Sequence, residues 1–372
     1  MTRNRREFLK ASMLGGAAVA AALPAASLAG EGRKTGEPLD ILVLGGTGFI
    51  GPHMVREALR RGHSVTLFNR GRTNNALFPD LETIKGDRGG DLEGLANRDW
   101  DAVIDNSGYM PQYVQNSART LSANIGQYLF ISSISAYAGF AQAGDEDSPL
   151  AKMADEDAHE FSWEFYGALK VRCEERAAEE IGDDRLTILR PTYICGPGDH
   201  TDRFTYWPVR TSKGGEMLWA GSPEHEIQII DVRDLANFVV DCVEQKVTGT
   251  FNTVTPVGSY TMGRLLEDSQ AVTAATVDPV WVDDAFVESS GAGAGGALPI
   301  WHPMSGENAY VSSVSGQRAR AAGLRNRPVR ETIRDLMTWW DTLPEERITN
   351  ARFAMTAERE AELIAAWKDA NS

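Results

Sequence analysis

Cysteine is scarce in this 372-residue chain, where Cys173, Cys195 and Cys242 are odd in number and widely spaced. That excludes a disulfide framework and offers no paired metal-ligand spacing. Cys173 and Cys242 fall in helical stretches and read as small buried hydrophobes. The six histidines form no His-Glu-x-x-His or paired pattern, so no metal site is expected. Positive charge is also short: 37 Lys and Arg stand against 52 Asp and Glu, a net charge of −15. Such a chain does not seek nucleic acid or anionic lipid. The apolar run that ends at Leu23 is too short and too rich in Ala and Gly for a membrane span.

That run has another reading. It comes after Arg3-Asn4-Arg5-Arg6-Glu7-Phe8-Leu9-Lys10 and precedes Ala26-Ser27-Leu28-Ala29, which gives a charged head, an apolar middle and a cleavage site after Ala29. The paired arginines with Phe8-Leu9-Lys10 behind them resemble a twin-arginine signal, read by the route that exports folded proteins. The expectation is a protein delivered to the periplasm or cell exterior, with no stable membrane span after processing. Removing residues 1–29 takes away four basic side chains and one acidic one, moving the net charge from −15 to −18.

Beyond the signal, Asp40-Ile41-Leu42-Val43-Leu44 is a buried strand pattern that runs into Gly45-Gly46-Thr47-Gly48-Phe49-Ile50-Gly51 and then a helical stretch from Met54. A turn that only Gly makes cheaply, a Gly at position 48 for close approach of a pyrophosphate and a Gly at 51 for tight helix packing are how a dinucleotide is seated on a helix N-terminus. From residue 40 to about 200, apolar strands at 41–44, 64–68, 82–84, 101–105, 127–132 and 186–190 alternate with helices. That alternation predicts an α/β fold, a Rossmann-like doubly wound parallel sheet with a smaller C-terminal substrate-binding domain. The expected division is a linker at 30–39, the nucleotide domain at 40–200, a mixed substrate-binding region at 201–345 whose strands and helices return to the main domain, and a helical tail at 346–372. The acidic stretch 144–160, the Pro/Gly-rich 190–199 and the aromatic 204–208 are expected to roof the cleft beyond the strand ends. The run 289–296 reads as a flexible surface loop.

Tyr166 and Lys170 stand four residues apart, one turn apart on one helix face. A nearby ammonium favours the phenolate and lowers a tyrosine pKa from about 10, which makes an acid/base usable near neutral pH. The Lys also reaches a ribose hydroxyl. Tyr128 to Tyr137 is a buried strand delivering Ser132, Ser133 and Ser135 at its carboxyl end, where a hydroxyl can hold a substrate oxygen while a Tyr moves its proton.

Together with the glycine turn, these segments resemble the short-chain dehydrogenase/reductase superfamily, specifically its extended, epimerase/dehydratase-like branch, over residues 40 to about 340. The resemblance implies Tyr166 as acid/base and Lys170 as its partner and nicotinamide-ribose ligand. It implies Ser133 as the catalytic hydroxyl, four residues before Tyr137. Ala138 stands where the family has Gly, Leu44 where its glycine motif starts with Thr, and Cys195 where it usually has Tyr. Gly86-Asp87-Arg88 resembles the adenine-contacting turn. Asn106, Ser107 and Gly108 end the fourth strand beside the cofactor, and Pro191 begins the segment that passes beneath the nicotinamide. Arg233 sits where sugar-nucleotide enzymes place an Arg near the diphosphate, or else pairs with Asp231 or Asp234.

Cofactor choice turns on the end of the second strand, where Asn69, Arg70 and Arg72 occur and no carboxylate does. That favours NADP over NAD, because an Arg accommodates a 2′-phosphate. On the substrate side His200, Arg203, Phe204, Trp207, Arg210 and Trp219 either stack on sugar rings and fork onto an anion, or form an aromatic core between the domains. The expected partner is a small, sugar-like molecule; the sequence leaves the oligomeric state open, a homodimer being one option because this superfamily often forms dimers. Free NAD(P)H is scarce outside the cytoplasm, so export implies a retained nucleotide and a cycle that returns it to its starting redox state. Epimerisation or dehydration fits; a carbonyl reductase and a non-catalytic dinucleotide-binding protein are the alternatives.

Overall fold

The computed structural model describes residues 37–153, 160–293 and 296–372. The expected signal peptide, most of the linker, part of the acidic stretch and part of the Gly-rich run lie outside the described residues.

Seven strands make the central sheet: β1 (Asp40–Leu44), β2 (Ser64–Asn69), β3 (Thr83–Lys85), β4 (Trp100–Asp105), β5 (Ile125–Ile131), β6 (Leu186–Pro191) and β10 (Gly249–Thr253). All are parallel, in the order β10-β6-β5-β4-β1-β2-β3. The first six fall within two residues of the strands expected from the sequence. The seventh, β10, lies far beyond residue 200 and pairs with β6, Thr250 opposite Ile188. The order reverses between β1 and β4, and such a switch point opens a crevice at the carboxyl ends of the strands.

Period-2 alternation explains why β1 reads as an unbroken apolar run. Ile41 and Val43 face α1 (Gly51–Arg60), while Leu42 and Leu44 face the opposite layer of α2 (Pro111–Leu121) and α3 (Tyr166–Ile181). On the first face α1 packs Met54, Val55 and Ala58 beside Leu235, Phe238 and Val239 from a helix over Val232–Glu244. On the second, Val114, Ala118 and Leu121 meet Cys173, Ala177 and Ile181. Each such fully buried aliphatic side chain stabilises the fold by about 1.5–3 kcal/mol.

A second core gathers at the carboxyl side of the sheet. The parallel pair β8 (Gly215–Ala220) and β11 (Val277–Val282) contributes Met217, Trp219 and Val282, and short helix Tyr206–Thr211 adds Trp207. The helices Met262–Thr273, Val329–Trp340 and Ala357–Ala370 close it. The last lies within the helical tail expected at 346–372 and is seated through Leu363 and Ile364. A further parallel pair joins β7 (Tyr193–Cys195) to β9 (Ile229–Asp231). The aromatic segment 204–208 does not roof a cleft. Phe204 and Trp207 are fully buried in this second core, because rings flanked by β8 and the C-terminal helix gain more by burial than by exposure. Among the described residues no helix is long and apolar enough to cross a membrane.

Candidate active site

The glycine turn leaves β1 at the switch point. Gly45 has φ +89°, and its N–H donates to Phe68 O at 3.1 Å. A Cβ on Gly51 would come within 2.6 Å of the Gly46 backbone, so this position fixes how closely α1 packs on the turn. A Cβ on Gly48 would meet nothing within 4 Å. Among the described residues the backbone N–H groups of Thr47, Gly48, Phe49 and Ile50 have no partner. Four free donors at a helix N-terminus, beside an open glycine, fit the diphosphate of a dinucleotide. Asn106 holds the turn from β4: with its side-chain amide assigned in the end-for-end orientation that its neighbours satisfy, Nδ2 donates to Gly45 O at 2.9 Å and Leu44 O at 3.1 Å and Oδ1 accepts from Gly51 N at 3.1 Å. Ser107 Oγ donates to Leu44 O at 3.2 Å.

At the end of β2, Asn69 Oδ1 accepts from Gly71 N at 2.8 Å and shapes the turn. Arg70 and Arg72 are exposed, and no described carboxylate pairs with either. Asp87 Oδ1 accepts from Gly89 N at 2.9 Å, a local turn contact. Arg88 departs from the expectation of an adenine contact. Its guanidinium is buried, donates to both oxygens of Asp105 at 2.8 and 2.5 Å and to Ser117 Oγ at 2.7 Å, and so braces β4 from beneath. Asp105, with no exposed surface, needs that cation, and Tyr128 donates to it as well at 2.7 Å.

The chemistry-bearing side chains meet where β5 ends. Ser133 caps a short turn, its Oγ accepting from Ser135 N at 3.1 Å, and it is partly accessible, whereas Ser132 is buried. Tyr166 opens α3 and brings its phenol beside Ser133. Gly167 permits this: a Cβ there would lie 2.0 Å from Ser135 O. One turn on, Lys170 is buried, its Nζ donating to Gly108 O at 2.8 Å and Ile131 O at 2.9 Å. The ammonium also lies 5.0 Å from the Tyr109 ring centre and 4.8 Å from that of Phe130.

The expected lowering of the Tyr166 pKa is not what this arrangement produces. Burial pushes the phenol up to about 12, with the neighbouring Tyr109 adding and Ser133 and Arg203 opposing. Lys170 is spent on two backbone carbonyls, and burial lowers its own pKa. The pair is therefore a neutral phenol beside a dry cation.

Of the expected substrate-side residues, the structure brings Arg203 to the site. Exposed and without a described carboxylate partner, it lies 4.9 Å from the Tyr193 ring centre and within electrostatic reach of Tyr166. His200 is exposed, edge-on to Phe49 of the glycine turn at 6.1 Å. The others are not brought there. Trp207 donates to Pro299 O at 2.9 Å and packs against Trp219 at 4.6 Å inside the second core. Arg210 is held by Glu360 at 2.6 Å and by the carbonyls of Gly214 and Glu216. Arg233 grips Asp231 at 2.7 and 3.0 Å and also Asp335, so its charge is consumed within the fold; Asp234 takes Arg327 instead. Cys195 is fully buried, its thiol donating to Ile230 O at 3.5 Å. Pro191 ends β6 and is buried.

Sequence reasoning missed two groups. Tyr193 and His302 share a 2.7 Å hydrogen bond with rings stacked at 5.9 Å; a pair 109 residues apart leaves no local signal. Phe161 and Trp163 form an aromatic wall with Tyr109 and Tyr166, at centroid distances of 4.9 to 6.5 Å. Trp163 is 73% exposed, and its position just ahead of Tyr166 was the available clue.

Comparison with known proteins matches residues 41–255, more than half of the chain, to the NAD dependent epimerase/dehydratase family. The chain belongs to that family. It is 28% identical over 213 residues to the chloroplast stem-loop binding protein of 41 kDa b of Arabidopsis thaliana, covering 53% of each chain. It is 26% identical over 237 residues to the epimerase family protein SDR39U1 of Bos taurus, covering 59% of this chain and 76% of that one. A 3 beta-hydroxysteroid dehydrogenase/Delta 5-->4-isomerase of Mycobacterium tuberculosis is 28% identical over 198 residues, 46% of this chain and 51% of the other. The chain thus spans about half the length of the first and third of these relatives. Among solved structures, a UDP-glucose 4-epimerase shares the fold at a TM-score of 0.60 and 14% identity, covering 82% of this chain and 98% of that one. MoeE5 in complex with UDP-glucose and NAD does so at 0.56 and 18%, covering 81% and 98%.

Proposed function

We propose that this protein is an exported NAD(P)-dependent oxidoreductase of the epimerase/dehydratase type, acting on a hydroxyl or carbonyl of a sugar-like substrate around a tightly held nucleotide. The observation that carries the reading is the convergence of Ser133 and Tyr166 where β5 ends, with Lys170 buried one turn behind. The free N–H groups of residues 47–50 would hold the diphosphate, and Lys170 the nicotinamide ribose. When bound, the nicotinamide supplies the hydride acceptor and donor. Ser133 orients the substrate oxygen, and Tyr166 gives it a proton in the reducing direction or removes one in the oxidising direction. Arg203 faces the substrate as an unpaired cation and His200 lines its edge. Exposed Arg70 and Arg72 at the adenosine end support NADP over NAD.

The relatives named for UDP-sugars support a sugar-like substrate. The twin-arginine pattern in residues 3–10 supports export to the periplasm, and export supports a cycle in which the substrate is oxidised, rearranged and reduced again without exchange of nucleotide. A second reading, reduction of a free carbonyl, is favoured by the aromatic wall of Phe161 and Trp163, which suits an apolar substrate.

Substitution Tyr166→Phe tests the assignment. Turnover is expected to fall by at least about 100-fold with nucleotide still bound, the usual scale for loss of a general acid/base. Full activity in that variant overturns it.

A further inference from the structure

Four aromatic rings stand together at the candidate active site. The Trp163 ring centre lies 4.9 Å from that of Phe161 and 5.5 Å from that of Tyr166, and Tyr109 closes the group at 5.9 Å from Phe161 and 6.4 Å from Tyr166. Three of the four are exposed: Trp163 by 73%, Tyr109 by 46% and Phe161 by 38%. Rings of this size ordinarily turn inward, and a contiguous exposed group marks a surface that meets a ligand. Here position says which ligand, because one ring of the group is the phenol assigned to proton transfer. A proton passes only over hydrogen-bond distance, so the reacting oxygen lies about 3 Å from the Tyr166 hydroxyl. Aromatic pairs keep their centres about 4.5–7 Å apart, so a ring stacked on Trp163 falls beside Tyr166 and carries or adjoins the reacting carbon.

The charges argue against a nucleotide as a second handle on the substrate. A diphosphate is held best by arginine forks. Of the three arginines expected on the substrate side, Arg210 is bound to Glu360 at 2.6 Å and to the carbonyls of Gly214 and Glu216, and Arg233 is bound to Asp231 at 2.7 Å and to Asp335. Of these three, Arg203 alone is exposed without a described carboxylate partner. We propose that Trp163 sets the specificity of the site: it stacks on the apolar face of the substrate's ring, and the substrate is a free ring with at most one negative charge, not a nucleotide sugar. A pyranose, whose C–H groups form such a face, and an aryl ring both supply that chemistry. The proposal rests on the reading of Ser133 and Tyr166 as the redox site and narrows its substrate.

Isothermal titration of the whole protein in excess NADPH, which leaves alcohols unreacted, compares 2-naphthylmethanol, methyl β-D-glucopyranoside and UDP-glucose. At least one of the first two is expected to bind saturably. Trp163→Ala, at a side chain 73% exposed, is expected to weaken that binding by about tenfold, the scale of an aromatic stacking contact, and Trp163→Phe to recover most of the loss. UDP-glucose is expected to bind no tighter than the glucoside. Binding of naphthylmethanol alone makes the ring an aryl group; binding of the glucoside makes it a pyranose. The proposal is overturned if neither ring probe binds, if Trp163→Ala leaves their binding intact, or if UDP-glucose binds more than about tenfold tighter than both. Those results leave the redox reading standing, since it falls only if Tyr166→Phe keeps full turnover.

Discussion

Lys170 Nζ donates to Ile131 O at 2.9 Å, which ties the helix that carries Tyr166 to the last residue of β5, two residues before Ser133. The lysine is thus a strut between the two elements that bring the hydroxyls together, as well as a cation beside the crevice. Replacing it with Met keeps the length but leaves two buried carbonyls without their donor. We expect Lys170→Met to cost about 1–3 kcal/mol in urea unfolding and to weaken NADPH binding by at least about tenfold. Unchanged affinity would remove Lys170 from the ribose site.

Tyr166 is held neutral by burial, with its pKa pushed up to about 12. Donation of a proton to a carbonyl then needs no ionisation, while removal of a proton from an alcohol draws on the scarce phenolate. In the protein with nucleotide bound, alcohol oxidation is expected to climb about tenfold per pH unit wherever the group remains above ambient pH, and reduction to stay flat. Profiles of both directions on one substrate check this. A plateau of oxidation at pH 7 would mean that bound nucleotide brings the phenol down.

The glycines divide into those the fold needs and those a ligand needs. Gly167→Ala puts a methyl 2.0 Å from Ser135 O and is expected to break the Ser133–Tyr166 alignment, with loss of activity by at least about 100-fold and little change in nucleotide affinity. Gly48→Ala meets nothing within 4 Å, so thermal stability should hold while NADPH binding drops. Melting curves with and without NADPH separate the two variants.

Two histidines make the fold acid-sensitive. Burial lowers His53 and His302 from 6.5 to about 4 each, so the folded state takes up these protons less readily than the unfolded chain. Stability is expected to be level above pH 6.5 and to fall as pH drops through the window from about 6.5 to about 4, by at most about 3 kcal/mol for each histidine. His302→Phe should flatten part of that slope in urea titrations at several pH values.

How much of this was legible in the sequence varies with how far apart the partners lie. Strands β1, β2 and β4 to β6 were, because a strand buried on both faces declares itself as an apolar run, whereas the short edge strand β3 is largely exposed. The local motifs from which the candidate site is argued, the glycine turn, Ser133, Tyr166 and Lys170, could be named from the sequence, since each lies within a few residues of its own signal. Side-chain fates set by distant partners were not. Arg88 looked like a ligand contact until Asp105 and Ser117 claimed it, and Arg210 was taken by Glu360, 150 residues away. Trp207 offered a ring that suits a sugar or a core equally, and burial against Trp219 decided the matter. Strand β10 was hidden because Gly249-Thr250-Phe251-Asn252-Thr253 is polar at alternate positions, yet Asn252 is buried and bonded to Tyr137 at 2.7 Å.

The proposed retention of the nucleotide through the whole cycle, in an enzyme proposed to work outside the cytoplasm, is tested most directly by native mass spectrometry of protein isolated from the compartment to which the signal would export it. The expected result is a mass raised by one NAD(P) per chain, retained in Tyr166→Phe and lost in Gly48→Ala. Nucleotide-free protein that turns over only when NADPH is added would contradict it.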